Sequence, residues 1–226
     1  MGKKLLFTLA ILTFLMSLIT GCDSKTSTAE PTATASPTPS NLEWKSPEPT
    51  GAVKLAQDIV ALEKESLSFE AGNYEKGKIP PGEYIFISLG KSAQYYSEED
   101  LGGSIIDNHN FPTFGYVSVL GAGNVTNRGC LISVNALERL GVSGAKQIYE
   151  MINNVSGYNQ SGMYKVGVDI PEGTHTITSL GNDGYYAILS GPVGNNEIAD
   201  NKIFNGSVTL DLTAGQYLEL NRASIN

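Results

Sequence analysis

The chain has 226 residues, of which 25 are glycine and 11 are tyrosine, with 17% charged residues and a formal net charge of −8. This length and composition disfavour a helical bundle and indicate one large or two small turn-rich β domains. The negative charge argues against nucleic acid as a partner and against electrostatic docking on anionic lipid, because both need a basic surface.

The N-terminus has the three-part layout of an export signal. Lys3 and Lys4 precede an apolar run over residues 5–19 that is too short to span a bilayer well. The sequence Ile19-Thr-Gly-Cys22 resembles the lipobox of bacterial lipoproteins, which implies a diacylated cysteine. We predict a signal peptide over residues 1–21 and a lipidated, palmitate-type anchor at Cys22 on the extracytoplasmic face of the bacterial plasma membrane. The alternative is an ordinary secretory signal with an incidental cysteine.

Residues 22–50 are rich in Ser, Thr, Ala and Pro and contain almost no large apolar side chains apart from Leu42 and Trp44. Such a segment buries too little surface to offset the entropy cost of ordering it. We therefore predict a disordered linker that carries the lipid anchor and holds the folded part clear of the membrane.

The remainder of the chain is a tandem repeat. Residues 164–173, Tyr-Lys-Val-Gly-Val-Asp-Ile-Pro-Glu-Gly, have a looser copy in residues 74–82. Further segments match in the same order about 90 residues apart: Ser88-Leu-Gly90 with Ser179-Leu-Gly181, Tyr95-Tyr96 with Tyr185-Tyr186, Asp107-Asn108 with Asp200-Asn201, and residues 129–135 with residues 215–221. We predict one β repeat over residues 51–140 and a second over residues 141–226.

Each repeat is predicted to start with a short helix and to continue as antiparallel strands. Apolar residues recur at helical spacing in residues 53–67 and, more weakly, in residues 144–155. Apolar and polar residues then alternate with a period of two between Gly, Asn and Asp clusters. The predicted fold is mainly β: two tandem, small antiparallel β-sandwich or jelly-roll-like repeats, each preceded by a short helix.

The repeat alignment also makes predictions about single residues. Ile132 should superpose on Leu218 and Val117 on Val208, because the same faces alternate in both copies. Pro81 before Gly82 suggests a type II turn with Gly82 at its third position, and Gly173 should repeat it. Both glycines are then expected to have positive φ.

Candidate catalytic residues are few. His175 aligns with Tyr84 on an apolar strand face, so we expect a packed, hydrogen-bonded histidine, and His109 is placed in a loop. Cys130 aligns with Gln216 and is expected to be a partly buried free thiol without an adjacent base. The acidic residues from Glu98 to Asp100 are interpreted as solvated loop charge. No His/Cys cluster has zinc spacing.

One polar pair occurs in both copies, as Asp107 with Asn108 and as Asp200 with Asn201. The structural interpretation is a turn closed by Asp and Asn, followed by a core phenylalanine. The functional alternative is a duplicated ligand site, or a calcium site, built from carboxylate and amide oxygens. No other cofactor and no catalytic residue is predicted.

Residues 164–173, 199–204 and 215–220 resemble a repeat module of exported, lipid-anchored proteins of Gram-positive, clostridia-like bacteria. The resemblance implies a surface location and a β module, and it carries over no catalytic residue. We expect a non-catalytic binding or envelope-scaffold module that contacts cell-wall glycan or a surface protein. The alternative is a surface hydrolase acting on wall polymer. Matching exposed patches would favour the binding module, and a cleft lined by non-equivalent residues would favour the hydrolase.

Overall fold

The computed structural model describes residues 50–226. The predicted signal peptide, Cys22 and the predicted linker up to residue 49 lie outside the described residues. The described part of the chain is mainly β, with fifteen strands in four antiparallel sheets and a few short helices. Over the same residues, no helix combines the length and apolar character needed to cross a membrane.

Three short helices precede and connect the sheets. They are α1 (Gly51–Leu62), α2 (Leu137–Leu140) and α3 (Ala145–Asn153), with 3-10 turns at Glu63–Glu65 and Val134–Ala136. In α1 the buried residues Leu55, Ile59 and Leu62 lie on one face at helical spacing. In α3 Ala145 and Ile148 are buried. The two predicted helices are therefore confirmed, with ends shifted by a few residues.

The first repeat forms two four-stranded sheets. Its strands are β1 (Ser68–Phe69), β2 (Gly72–Tyr74), β3 (Gly82–Ile87), β4 (Gln94–Glu99), β5 (Ile105–Phe111), β6 (Phe114–Val119), β7 (Asn124–Asn127) and β8 (Cys130–Ser133). Sheet I has the order β1-β8-β3-β6 and sheet II the order β2-β7-β4-β5. The stacked rings of Phe86 and Phe111, with centroids 4.5 Å apart, join the inner faces of the two sheets.

The second repeat forms one four-stranded and one three-stranded sheet. Its strands are β9 (Gly162–Lys165), β10 (Gly173–Ser179), β11 (Gly184–Leu189), β12 (Ile198–Phe204), β13 (Ser207–Leu212), β14 (Tyr217–Asn221) and β15 (Ala223–Ile225). Sheet III has the order β12-β11-β14-β9, which repeats the order of sheet II. Sheet IV, β13-β10-β15, repeats β6-β3-β8 of sheet I. The predicted fold, two tandem antiparallel sandwich-like repeats, is confirmed.

The strand register corrects the predicted superposition of Ile132 on Leu218. Leu218 in β14 lies opposite Ile188. The first-repeat equivalent of Ile188 is Glu98, which lies opposite Val125 in β7, so Leu218 corresponds to Val125. Ile132 belongs to β8, whose counterpart is β15. The prediction was wrong because the alternation of Ile132 and Val134 with Ser133 and Asn135 runs past the end of β8 into the 3-10 turn at Val134–Ala136 and does not belong to a single strand.

A second superposition was wrong by two residues. Val117 lies opposite Tyr84. The second-repeat equivalent of Tyr84 is His175, which lies opposite Leu210. Val117 therefore corresponds to Leu210 and not to Val208. A shift of two residues keeps every side chain on its predicted face. Burial alternation alone therefore gave the correct face and the wrong partner.

The positive φ values predicted for Gly82 and Gly173 are confirmed, at 152° and 124°. Both residues begin strands, however, and are not in a hydrogen-bonded type II turn. The hydrogen-bonded turns lie earlier, at Gly77 with φ 80° and Gly167 with φ 86°, where a backbone N–H donates to the carbonyl three residues before it. The left-handed conformation of these two glycines fits the third position of a type II turn.

The outer faces of sheets I and IV are equivalent in backbone and opposite in chemistry. The outer face of sheet I is apolar and buried, and Phe114 on it packs against Tyr149 of α3 with ring centroids 5.4 Å apart. The outer face of sheet IV is a polar, largely exposed array formed by Thr174, Thr176, Thr178, Ser207, Thr209 and Asp211. The helix α3 and side chains of the second repeat, among them Tyr217, thus cover the outer face of sheet I, which is the apolar one of the two.

Candidate functional site

The duplicated Asp-Asn pairs occupy equivalent positions in two edge strands. Asp107 in β5 lies opposite Glu98, and Asp200 in β12 lies opposite Ile188, beside a register shift at the same place in both sheets. Both pairs are in strand interiors, so their interpretation as turn residues is wrong. Phe111 and Phe204, which follow them, are buried, as that interpretation expected.

The carboxylate of Asp107 connects the two repeats. Its Oδ1 accepts a hydrogen bond from the backbone N–H of Asn108 at 2.7 Å, and its Oδ2 accepts one from the backbone N–H of Gly194 at 2.5 Å. Gly194 belongs to the loop of residues 190–197 between β11 and β12. Asp107 thus helps to fix this loop of the second repeat on the first.

Asp200 has a different environment. It is exposed, and its Oδ2 accepts a hydrogen bond from the hydroxyl of Tyr186 at 2.8 Å. In the first repeat the equivalent tyrosine, Tyr96, is fully buried and its hydroxyl has no partner among the described residues. The two aspartates are therefore equivalent in position and different in use, because Asp107 bonds to the loop and not to its tyrosine.

The 190–197 loop extends sheet I. Val193 is 3% exposed and forms a parallel bridge with Val117 of β6, the edge strand of that sheet. The Ser118 N–H donates to the Val193 carbonyl at 2.7 Å. A Cβ on Gly194 would lie 2.4 Å from the Ser118 carbonyl oxygen, so this position requires glycine. The loop thereby covers an edge that would otherwise be open.

A polar, open cavity lies where Asp107 meets this loop. Its volume is about 460 Å³, and it is lined by Asp107, Ser190, Gly194, Asn195, Asn196 and Glu197. Asn195, Asn196 and Glu197 are exposed, and within the described residues their side chains have no hydrogen-bond partner. The lining offers carboxylate and amide oxygens, amide N–H groups and a hydroxyl to a ligand.

A second polar cluster lies at the junction of the repeats, around Glu83. Its Oε1 is 2.8 Å from Lys165 Nζ and accepts a hydrogen bond from the Tyr217 hydroxyl at 2.8 Å. The Lys165 ammonium also lies 5.2 Å from the centre of the Tyr217 ring. Burial, together with the bond to Glu83, raises the pKa of Tyr217. The charges of this cluster satisfy one another, so it acts as a link between the repeats.

Asp169 forms a third link. Its Oδ2 accepts from the Tyr116 hydroxyl of the first repeat at 2.6 Å and from the Lys165 N–H at 2.9 Å. Its Oδ1 accepts from the Lys146 N–H in the first turn of α3 at 3.0 Å. Burial raises the pKa of Asp169, and these three donors partly oppose that rise. The aspartate of the repeat motif is therefore a structural acceptor.

The histidines and the cysteine have structural contacts. His175 is half-buried and hydrogen-bonds the Pro171 carbonyl through Nε2 at 2.9 Å, as expected for a packed histidine. His109 lies in β5 and not in a loop, and its Nε2 is 3.2 Å from Glu219 Oε1 of the second repeat. Cys130 is a buried free thiol, and burial raises its pKa to about 12.

The interpretation of Glu98 as solvated loop charge is wrong. Its side chain is 1% exposed, and its carboxylate accepts hydrogen bonds from the backbone N–H groups of Leu120, Ala122 and Gly123. The sequence did signal this position through the alternation of Tyr96 and Glu98 on one strand face. Glu98 fixes the loop between β6 and β7.

No group of three or more His, Cys, Asp or Glu side chains in residues 50–226 is arranged to hold a metal ion. Asp107 and Asp200 lie in different sheets and do not form one shared set of ligands. Comparisons with known protein families, with curated proteins and with solved structures found no match. The cavity between Asp107 and the 190–197 loop is thus the candidate site.

Proposed function

We propose that this protein is a non-catalytic binding module for a hydroxyl-rich polymer of the cell envelope, such as wall glycan. The observation that carries the proposal is the polar cavity that Asp107 and the 190–197 loop form together. Amide groups both donate and accept hydrogen bonds and carboxylates accept them, so this lining suits a ligand that presents many hydroxyl groups.

The state of the lining supports binding. Asn195, Asn196 and Glu197 face solvent without a hydrogen-bond partner among the described residues, so they have donors and acceptors to offer. The backbone of the loop is fixed by Val193 and Gly194, which keeps these side chains near one another. A ligand would therefore meet a largely preformed set of polar groups.

A hydrolase acting on wall polymer is the second candidate. The cavity is lined by non-equivalent residues of the two repeats, and two of them, Asp107 and Glu197, are carboxylates. Glycoside hydrolysis uses such a pair. However, both oxygens of Asp107 accept backbone N–H groups, an arrangement that suits a carboxylate fixing a loop better than one that exchanges protons with a substrate.

The test is a wall-glycan binding assay on the full chain, with and without calcium. Asn195→Ala combined with Asn196→Ala should weaken binding about tenfold, since two neutral hydrogen bonds contribute about 1.4 kcal/mol or more together. Asn110→Ala changes an exposed asparagine outside the cavity and should have no effect. Equal binding by all three proteins would overturn the proposed site.

The hydrolase has its own outcome in the same assay. Release of new reducing ends from wall polymer, lost in Glu197→Gln while binding persists, would show that the cavity catalyses. A matched Glu75→Gln variant alters a carboxylate outside the cavity and controls for the change of charge. Binding without product release by the unchanged chain supports the binding module.

The proposal includes anchoring through Cys22 on the outer side of the membrane. It is supported by Lys3 and Lys4, the apolar run and the small residues that end at this cysteine. Mass spectrometry of the membrane fraction should find a diacylglyceryl-modified peptide that begins at Cys22. A Cys22→Ala chain that stayed fully membrane-bound would contradict it.

A further inference from the structure

We propose that two copies of this chain associate through β12, whose open edges pair antiparallel about a twofold axis at Asn201. The proposal does not depend on the ligand of the cavity. It rests on an unpaired edge strand and on the order of charges along that strand.

The strand β12 ends sheet III. It pairs with β11 on one side, and no described strand pairs with it on the other. Its first six residues are all exposed, with Ile198 at 59% and Ile203 at 66%. An edge strand with exposed isoleucines, here in regular pairing with β11 from Asp200 to Phe204, is a template for pairing with another chain.

The charges select one register for a pair of identical strands. A twofold axis normal to the sheet places residues of the same face opposite each other, so the axis must pass through a residue. With the axis at Asn201, Asp200 of each copy lies opposite Lys202 of the other. If the axis passes through residue 200 instead, the two copies of Asp200 face each other. If it passes through residue 202, the two copies of Lys202 face each other. Opposite charges in facing positions stabilise a strand pair, and like charges destabilise it.

Both charged groups are available for such a pair. Within residues 50–226 the side-chain ammonium of Lys202 has no ion-pair or hydrogen-bond partner. Asp200 receives the Tyr186 hydroxyl on Oδ2, and its Oδ1 has no partner among the same residues. A lysine on an edge usually prevents pairing. With an aspartate two positions away, it favours the register centred on Asn201 and opposes the two neighbouring registers.

In the first repeat, the side chains at the equivalent positions of β5 make contacts within the chain. In β5 the counterparts of Asp200 and Lys202 are Asp107 and His109. Asp107 accepts the Gly194 N–H, and His109 pairs with Glu219, so both are used in the contact between the repeats. Both strands end their sheets, but in β5 these two side chains contact the second repeat, and in β12 their counterparts make no hydrogen bond or ion pair to a described residue of the first repeat.

The dimer is expected to be weak. Stable interfaces bury more than about 1,000 Å² in total, and a single pair of seven-residue strands is near or below that size. Disulfide cross-linking at the axis is therefore a more sensitive probe of the dimer than a measurement of the molecular mass in solution at equilibrium. A residue on the twofold axis lies opposite the same residue of the other copy, so a single cysteine substitution there brings two thiols within disulfide-bonding distance.

The first experiment introduces Asn201→Cys into the full chain in membranes of the expressing cells, followed by mild oxidation and non-reducing electrophoresis. We expect covalent dimers well above the background of the parent chain, which contains Cys22 and Cys130. Asn108→Cys, at the equivalent place in β5, and Thr209→Cys, on the edge strand β13, should stay at that background. Equal cross-linking at all three positions, or none at position 201, would overturn the proposal.

A charge exchange tests the register. On the Asn201→Cys chain, Lys202→Asp creates two like-charged pairs across the axis and should reduce the cross-linked fraction about tenfold. Adding Asp200→Lys reverses both charges and should restore it. Thermal melting confirms that each variant is folded. A folded double variant that remains monomeric would refute the register.

Discussion

Two tyrosines at equivalent positions differ by one hydrogen bond. The Tyr186 hydroxyl donates to Asp200, and the Tyr96 hydroxyl is buried without a described partner. We expect Tyr186→Phe to lower the free energy of unfolding by roughly 0.5–1.5 kcal/mol. Tyr96→Phe removes an unsatisfied buried hydroxyl and should leave stability unchanged or raise it by about 1 kcal/mol. Urea unfolding of both variants measures the difference. A larger loss for Tyr96→Phe would show that its hydroxyl has a partner.

The thiol of Cys130 should be chemically inert in the folded chain. Burial raises its pKa to about 12, so at pH 8 only about one thiol in 10⁴ is the reactive thiolate. We expect iodoacetamide at pH 8 to leave the Cys130 peptide unmodified in the native protein and to modify it in denaturant, as measured by mass spectrometry. Equal modification rates in the two conditions would contradict the buried placement.

At the scale of single elements, the loop between β6 and β7 is fixed by one carboxylate. Glu98 accepts three backbone N–H groups, and Gln offers one acceptor oxygen and a competing donor in its place. Glu98→Gln should therefore lower the free energy of unfolding by about 2–3 kcal/mol. Glu99→Gln, on the opposite face of the strand, should change it by less than about 0.5 kcal/mol. Chemical denaturation of the two variants compares them.

The elements themselves were largely predictable, and their partners were not. Alternation and helical spacing identified the strands and both helices, because burial on one face imposes a period on the sequence. The same period fits a strand shifted by two residues, which is why Val117 was matched to Val208. The Asn-Arg dipeptides at residues 127–128 and 221–222 stand at the ends of β7 and β14 and so indicate that these two strands, and not β8 and β14, correspond.

The candidate site was predictable only in part. Repetition singled out Asp107 and Asp200, but nothing in the pattern distinguished their roles. The bond from Gly194 to Asp107 joins residues 87 positions apart and depends on a loop that is longer in the second repeat. No local periodicity reports such a contact. Asn195, Asn196 and Glu197 were missed because the additional residues of the longer loop have no counterpart in a repeat alignment.

At the scale of the whole molecule, the repeats are joined by buried polar contacts. The Tyr116 hydroxyl donates to the Asp169 carboxylate at 2.6 Å. In a double-mutant cycle of Tyr116→Phe and Asp169→Asn, we expect a coupling energy of about 1.5–3 kcal/mol. The exposed pair Thr174 and Asp211, also 2.6 Å apart, is the matched control and should couple by less than about 0.5 kcal/mol. Similar coupling in both cycles would mean that burial adds nothing at the junction.

The loop that covers β6 also sets an order in time. The strands of the first repeat end at Ser133, and Val193, which pairs with its open edge, is synthesised later. At about 5–20 residues per second, the roughly 60 residues between them take about 3–12 s. A first repeat that folds as it emerges, before the second repeat follows, therefore waits several seconds with β6 exposed. Two chains that emerge side by side can pair these edges during that interval, so slow delivery of the second repeat favours misassembly.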